Sequence, residues 1–228
     1  MTTTRTLREE LEGAILERHC AHHPMTQKWA AGELSTTAMM GWGIEHYHWV
    51  SNVWPTFFYT MATAPNDVRR VLTENYAEEN DPARPHLPIV LRFAEANGAN
   101  VEEVLRGRGL PTTESWVAWQ AQAAKEGGWI AGLCAIVGSE AQSPLLYGTV
   151  LPALREKYRF AESTIEHFWL HTEADDEHGK RTFELLERHC TTPELREKAI
   201  HWARESARMR WFYFDGIYLH YELGYKLR

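Results

Sequence analysis

Apolar residues recur at three- and four-residue spacing along almost the whole chain, and no sustained stretch alternates at period two, so the pattern predicts helix after helix. A first amphipathic helix is expected over residues 6–22, with Leu7, Leu11, Ile15 and Leu16 as its apolar positions, and a short one over 25–33 after Pro24. Ser35 offers a side-chain oxygen to cap a long helix over 36–54. Pro55 predicts a kink, beyond which the apolar run continues through Phe57, Phe58 and Met61. Asn66 is the expected cap of a helix over 67–79. Pro82, Pro85 and Pro88 each lack a backbone donor and disfavour helix at the preceding residue, so the helix breaks or distorts there and resumes from Ile89 to Ala96, ending at Asn97-Gly98. A short helix and turn over 101–109 comes next, then a helix from Thr113 or Ser115 to Lys125. Gly127-Gly128 marks a bend before the apolar stretch 129–137, and helices over 144–158, 160–189 and 193–225 complete the series. No internal repeat, linker or low-complexity tract interrupts it. At 228 residues the expectation is one all-α domain over 1–228 with one continuous core.

Composition narrows the class of partner. With 44% hydrophobic and 24% charged residues this is an ordinary globular chain. A net charge of −7 lacks the clustered Lys and Arg that displace counterions from a phosphate backbone, so nucleic acid is not an expected partner. Residues 1–12 lack a basic region followed by an apolar one, and no window approaches eighteen uninterrupted apolar residues, so no membrane contact is expected. Cys20, Cys134 and Cys190 show neither C-x-x-C spacing nor an even framework, and read as reduced thiols of a cytoplasmic protein. Twelve histidines supply candidate ligands and also raise the rate of accidental motifs.

Three groups of residues carry candidate chemistry. His171, Asp175 and His178 are spaced H-x-x-x-D-x-x-H, which on a helix brings them within roughly 60 degrees of arc. Two imidazoles and a carboxylate on one face suit divalent iron, manganese or zinc; the plainer alternative is a solvated face in the acidic stretch 173–177. Glu79 and His86 are spaced E-x6-H, about 20 degrees apart if helical, but Glu12 with His19 and Glu194 with His201 repeat that spacing. The prolines single out the first pair, because a broken helix between two ligand candidates is a local-rule violation of the kind functional sites tolerate. Glu140 ends the apolar run from Trp129 to Ser139, where an ionised carboxylate needs a cation, a paired donor or an outlet to solvent.

Taken in order, E-x6-H, a lone Glu and H-x-x-x-D-x-x-H resemble the heme-oxygenase-like diiron oxidases and oxygenases, which share the fold of pyrroloquinoline-quinone synthase and thiaminase II. The segment from Asn75 to Asn80 leading to His86-Leu-Pro and then Phe93 to Gly98 fits as well, and the likeness runs from about residue 20 to 215. It implies a bundle of about seven helices, a homodimer, and two Fe or mixed Fe/Mn; the proline-interrupted segment around 80 to 88 suggests that the second site is labile. Glu79, His86 and His178 or its neighbour would chiefly hold one metal and His171 and Asp175 the other, with Glu140 bridging or shared; the division between the metals stays open. It further implies O2 as co-substrate and oxidation of a small metabolite, by C–C cleavage, N-oxygenation or related chemistry, with carboxylate- or amine-bearing molecules favoured. Three carboxylates against two Fe(II) leave such a site net positive and receptive to an anionic ligand. One subgroup consumes its own tyrosine while making para-aminobenzoate. Tyr76 and Tyr147 are candidates to lie near the metals, but Met25 stands where that subgroup is expected to carry an aromatic hydroxyl.

Other readings compete. Cys134 invites comparison with the nucleophile of thiaminase II, although a buried cysteine is usually packing. A metal-free cofactor-biosynthesis enzyme and a non-catalytic interaction protein with a Trp-rich surface are the remaining alternatives. His167, one turn before His171, is expected to support a ligand, line a pocket or serve structure. Among Glu45, His46 and His48 at least one is expected to face solvent. Trp42, Trp49, Trp54 and Trp169 are expected mostly in the core, with one or two shaping a cavity. Arg204, Arg208 and Arg210 read as a solvated face, with an arginine anchoring a substrate carboxylate as the sharper alternative.

Overall fold

The computed structural model describes residues 5–227, apart from the side chains of residues 173–178. The described residues form eleven α-helical segments: α1 (Leu7–Leu16), α2 (Pro24–Ala30), α3 (Thr36–Val50), α4 (Trp54–Thr63), α5 (Asn66–Glu79), α6 (His86–Ala96), α7 (Val101–Arg106), α8 (Pro111–Glu140), α9 (Ser143–Glu156), α10 (Glu166–His189) and α11 (Pro193–Ile217). The all-α expectation holds, while the eleven described α-helices exceed the seven or so that the resemblance implied. No helix among the described residues is long and apolar enough to cross a membrane.

The helix boundaries have identifiable causes. The helix expected over 6–22 stops at Leu16, and residues 20–22 form a separate 3-10 turn. The His19 ring takes the Ala21 amide and the buried Gln142 carboxamide takes the Cys20 amide, so neither donor is available to continue an α-helix. Ser35 caps α3 as expected, accepting from the Ala38 amide. Asn66 is instead the first helical residue of α5, with no side-chain cap. α6 begins at His86 rather than Ile89: Pro88 falls in the first turn, where a missing N–H removes no intrahelical bond. α8 starts at Pro111, ahead of the expected Thr113, because a distant carboxylate serves its N-terminus. Glu45 Oε2 accepts from the Leu110 amide and the Thr113 hydroxyl, each at 2.7 Å. Gly128 kinks α8 at φ 76°, a conformation strained for any side chain with a Cβ.

An aromatic cluster ties four helices together. Trp42 of α3 lies 4.9 Å from Phe168 of α10 and 5.5 Å from Trp29 of α2, and Phe93 of α6 lies 4.9 Å from Phe168, measured between ring centroids. All four rings are buried. At this density each ring fixes its neighbours, so α3, α6 and α10 present the adjoining polar residues in a defined place.

Candidate metal centre

Glu79 is the last residue of α5 and His86 the first of α6, so the pair flanks the proline-rich break instead of sharing a helix face. The turn brings Glu79 Oε2 to 2.7 Å from His86 Nδ1. His171 joins from α10, its Nε2 3.8 Å from Glu79 Oε1 and its ring centroid 4.8 Å from that of His86. One ligand atom from each of the three lies within 4.8 Å of the others. Metal–imidazole bonds of about 2.1 Å hold opposed ligands about 4.2 Å apart, so side-chain shifts of under about 1 Å would gather the set onto one ion.

The protons show why an ion fits. His171 Nδ1 lies 2.8 Å from the main-chain oxygen of His167, which only accepts, so Nδ1 carries the proton and Nε2 turns a lone pair towards Glu79. At 3.8 Å that contact is too long for a hydrogen bond. His86 Nδ1 is buried and, despite its proximity to Glu79, is not aligned for a hydrogen bond with any partner. Burial alone would raise the Glu79 carboxyl, yet the adjacent His171 and His86 outweigh it and hold the group below the usual carboxylate range. Two imidazoles and an ionised carboxylate thus converge within ligand distance of one another, and mixed N/O donors of this kind suit divalent iron.

Glu140, the last residue of α8, joins Glu79 and His171 in lining one cavity, instead of simply reaching solvent from its helix end. The rest of the wall includes His46, Trp49, Trp54, Phe57 and Tyr147. The cavity holds about 70 Å³, several times the roughly 10–15 Å³ that one water needs. α10 is continuous through 175 and 178, but the side chains of Asp175 and His178 lie outside the described residues.

Behind the ligands sits a layer of neutral polar groups. His167 Nε2 is 3.1 Å from the Tyr147 hydroxyl, and its ring is 4.7 Å from that of His46. Burial, foremost, pushes both imidazoles well below their ordinary pKa and keeps them uncharged. Glu45, His46 and His48 are all buried, contrary to the expectation that at least one faces solvent. Trp49 and Trp54 shape the cavity while Trp42 is core, as expected. Cys134 is fully buried with its thiol pushed well above the ordinary value, and it does not line the cavity, which removes the support for a nucleophile there. Arg210 is 1% exposed, not part of a solvated face. The signal was present in the sequence: Ala199, Ala203, Ala207, Arg210 and Phe214 follow one three-four stripe on α11, and all are buried.

Known proteins resemble this chain in sequence and in fold. The chain is 24% identical to a 4-aminobenzoate synthase of Nitrosomonas europaea, with 96% of this chain and 93% of the relative covered. A second 4-aminobenzoate synthase, of Chlamydia muridarum, is 22% identical over 92% of this chain and 89% of its own. Among solved structures, a domain of unknown function with a heme oxygenase-like fold from Shewanella denitrificans superposes with a TM-score of 0.80 at 18% identity, covering 97% of this chain and 96% of that one. A TenA homologue from Pseudomonas syringae gives 0.77 at 15% identity, covering 92% and 90%. The fold is therefore heme oxygenase-like. Residues 41–211, which include Glu79, His86, Glu140 and His171, match the family described as iron-containing redox enzymes, and the chain belongs to that family.

Proposed function

We propose that the protein is a non-heme diiron oxidase or oxygenase that uses O2 to oxidise a small metabolite bearing a carboxylate or an amine. The observation that carries this reading is the convergence of Glu79, His86 and His171 within ligand distance of one another, beside a cavity that Glu79, His171 and Glu140 line. Glu79, His86, Glu140 and His171 would hold the metals, with Asp175 and His178 proposed as the remaining ligands. Bound ferrous iron would supply the electrons that reduce O2. The chain's own contribution is containment and proton placement. Trp49, Trp54 and Phe57 give the cavity apolar walls that limit water. The His167–Tyr147 contact holds a proton at the wall, shared between Nε2 and the hydroxyl. Loading the chain anaerobically with Fe(II), alone or with Mn(II), should give two metals per chain and O2 uptake on mixing. A metal-replete protein that consumes no O2 in the presence of small carboxylates or amines would reject the reading.

A second reading follows from the two relatives named 4-aminobenzoate synthase. Tyr147 is buried at the cavity wall, its ring centroid 6.3 Å from that of His171, and on this reading it would be the tyrosine consumed. Tyr76 is exposed, packed edge-on against Trp54 at 4.8 Å. Met25 is fully buried and supplies no hydroxyl. Intact-protein mass after O2 exposure separates the readings, since self-sacrifice removes mass at Tyr147 in a single turnover whereas catalysis on a free metabolite leaves the chain unchanged.

A further inference from the structure

From the candidate ligand His171 an unbroken line of rings runs to the surface. His167 lies 4.1 Å from His171 between ring centroids, His46 lies 4.7 Å from His167, and Trp49 at the cavity wall lies 4.9 Å from His46. From Trp49 on α3 the line crosses to α8, where Trp116 is 5.9 Å away and Trp119 stacks on Trp116 at 5.6 Å with planes 14° apart. It then crosses to α11, where Trp202 is 6.0 Å from Trp119 and the ring of the exposed His201 lies 5.3 Å from Trp202. Trp49 and Trp116 are buried, whereas Trp119 and Trp202 are half-buried, so exposure rises outward. Indole is among the side chains most readily oxidised by one electron, and tunnelling falls off exponentially with distance, so ring contacts of this length pass a charge easily.

The protons favour passage over trapping. An indole radical cation is a far stronger acid than indole itself, and the charge is trapped once the Nε1 proton leaves. Trp49 Nε1 donates at 2.9 Å to Gln120 Oε1, a neutral amide that does not take the proton. Trp116 Nε1 is buried with no partner among the described residues, an arrangement uncommon for a buried indole. Neither buried indole faces a base, so a charge placed there moves on with its proton in place. The Arg210 guanidinium, 5.4 Å from the Trp49 centroid, repels a positive charge on that ring and biases it outward. Tyr213, also against Trp49 at 5.8 Å, is a dead end, since an oxidised phenol must release its proton and this buried hydroxyl has no acceptor among the described residues.

We propose that Trp49, Trp116, Trp119 and Trp202 form an electron path that feeds the metal centre from a dissolved one-electron reductant of the ascorbate class at the Trp202 surface. When the centre is oxidised with no substrate in the cavity, it takes one electron from Trp49. The vacancy passes through Trp116 and Trp119 to Trp202, where the reductant fills it. The net change is one electron from reductant to iron, and no bond in the four indoles forms or breaks. The inference rests on iron being held at the candidate centre, but not on O2 as the oxidant.

The test uses the full-length chain loaded with iron under argon, with hydrogen peroxide as the oxidant, so it does not depend on O2 chemistry. Each peroxide takes two electrons and two protons to become two waters. Without a reductant, two charges reaching Trp202 and one water leave one oxygen on its ring and release two protons. Peptide mass spectrometry should find that oxygen on Trp202, and not on Trp129 or Trp211, which are half-buried but off the line. Added ascorbate should suppress the mark. Trp119→Phe, with iron content and melting temperature as in the parent, should lose the mark at Trp202 and gain one at Trp49. Trp202→Phe should end the path at Trp119 and move the mark there. The proposal is overturned if the metal-free chain is marked at Trp202 to the same extent, if Trp119→Phe leaves that mark unchanged, or if Trp129 and Trp211 are marked as strongly. Should Trp119→Phe not fold, Trp202→Phe decides, and an unmarked Trp119 in that variant overturns the proposal. Absence of O2 chemistry in the iron-loaded protein would leave this result standing.

Discussion

Nδ1 of His171 points at the main-chain carbonyl of His167, 2.8 Å away and one turn earlier on the same helix. Because the acceptor is backbone, no side-chain change at 167 removes it, and the orientation of His171 is a property of α10 itself. His167→Gln should therefore change Fe(II) affinity less than about tenfold, at the low end of what loss of an outer partner costs. His171→Ala should lower it by at least about 100-fold. Competition against a colorimetric chelator measures both, and equal losses would show that the His167 ring, not its carbonyl, supports the site.

Glu45 joins three parts of the chain that are far apart in sequence. Its carboxylate accepts from the Leu110 amide and Thr113 hydroxyl at the start of α8 and from the Tyr221 hydroxyl beyond α11. Glu45→Ala would leave two buried donors and the part-buried Tyr221 hydroxyl without their anion, and a loss of about 3 kcal/mol is expected from denaturant unfolding. Glu45→Gln keeps the shape but turns an amide N–H towards a donor, and its stability should fall between the parent and Glu45→Ala. A loss under about 1 kcal/mol for Glu45→Ala would mean that water replaces the carboxylate.

Gly132 sets the distance between α4 and α8. A Cβ at this position would lie 2.0 Å from Thr60 Oγ1 and 2.8 Å from the Ala124 Cβ. Gly132→Ala should destabilise the chain by about 1–3 kcal/mol and, since α4 carries Trp54 and Phe57, weaken binding of any cavity ligand. Pairing it with Thr60→Ala removes the closest clash and should restore part of both, as thermal melts with and without ligand will show.

Acid sensitivity has a definite sign at His19. Burial, then the charges of Arg210 and His22, lower its pKa to about 3. The unfolded chain binds this proton near pH 6.5, so the neutral imidazole's contribution is complete above that pH and erodes as pH falls towards 3, by about 1.4 kcal/mol per unit. His19→Asn keeps an acceptor for the Ala21 amide. Its unfolding free energy should be flatter than the parent's between pH 6 and 4 by close to one proton. An unchanged slope would place the acid sensitivity elsewhere.

Much of the fold was legible because it is a matter of period and punctuation. The Ser35 cap, the Gly128 bend and the helical spacing of Ala199, Ala203 and Ala207 are written locally. What was not legible is tertiary. The start of α8 depends on Glu45, sixty-five positions away, and the end of α1 depends on Gln142. At the site, Glu79 and His86 stood out by their prolines, but their meeting through a turn between two helix ends is set by packing and not by spacing. Arg210 was misplaced because a charged residue was read by its type, although its position fell on the apolar stripe.

The split between Glu79 and His86 carries one more consequence. A ligand pair hung from two helix ends, joined by six residues of turn, can open by a local hinge while the aromatic cluster of Trp42, Phe93 and Phe168 stays packed. Folding and metal capture would then be separable events, with an ion acting as a clasp fastened on a finished bundle. Hydrogen exchange should accordingly show metal-dependent protection concentrated at residues 79–88, with the buried turns of α3 already slow to exchange before any metal is added.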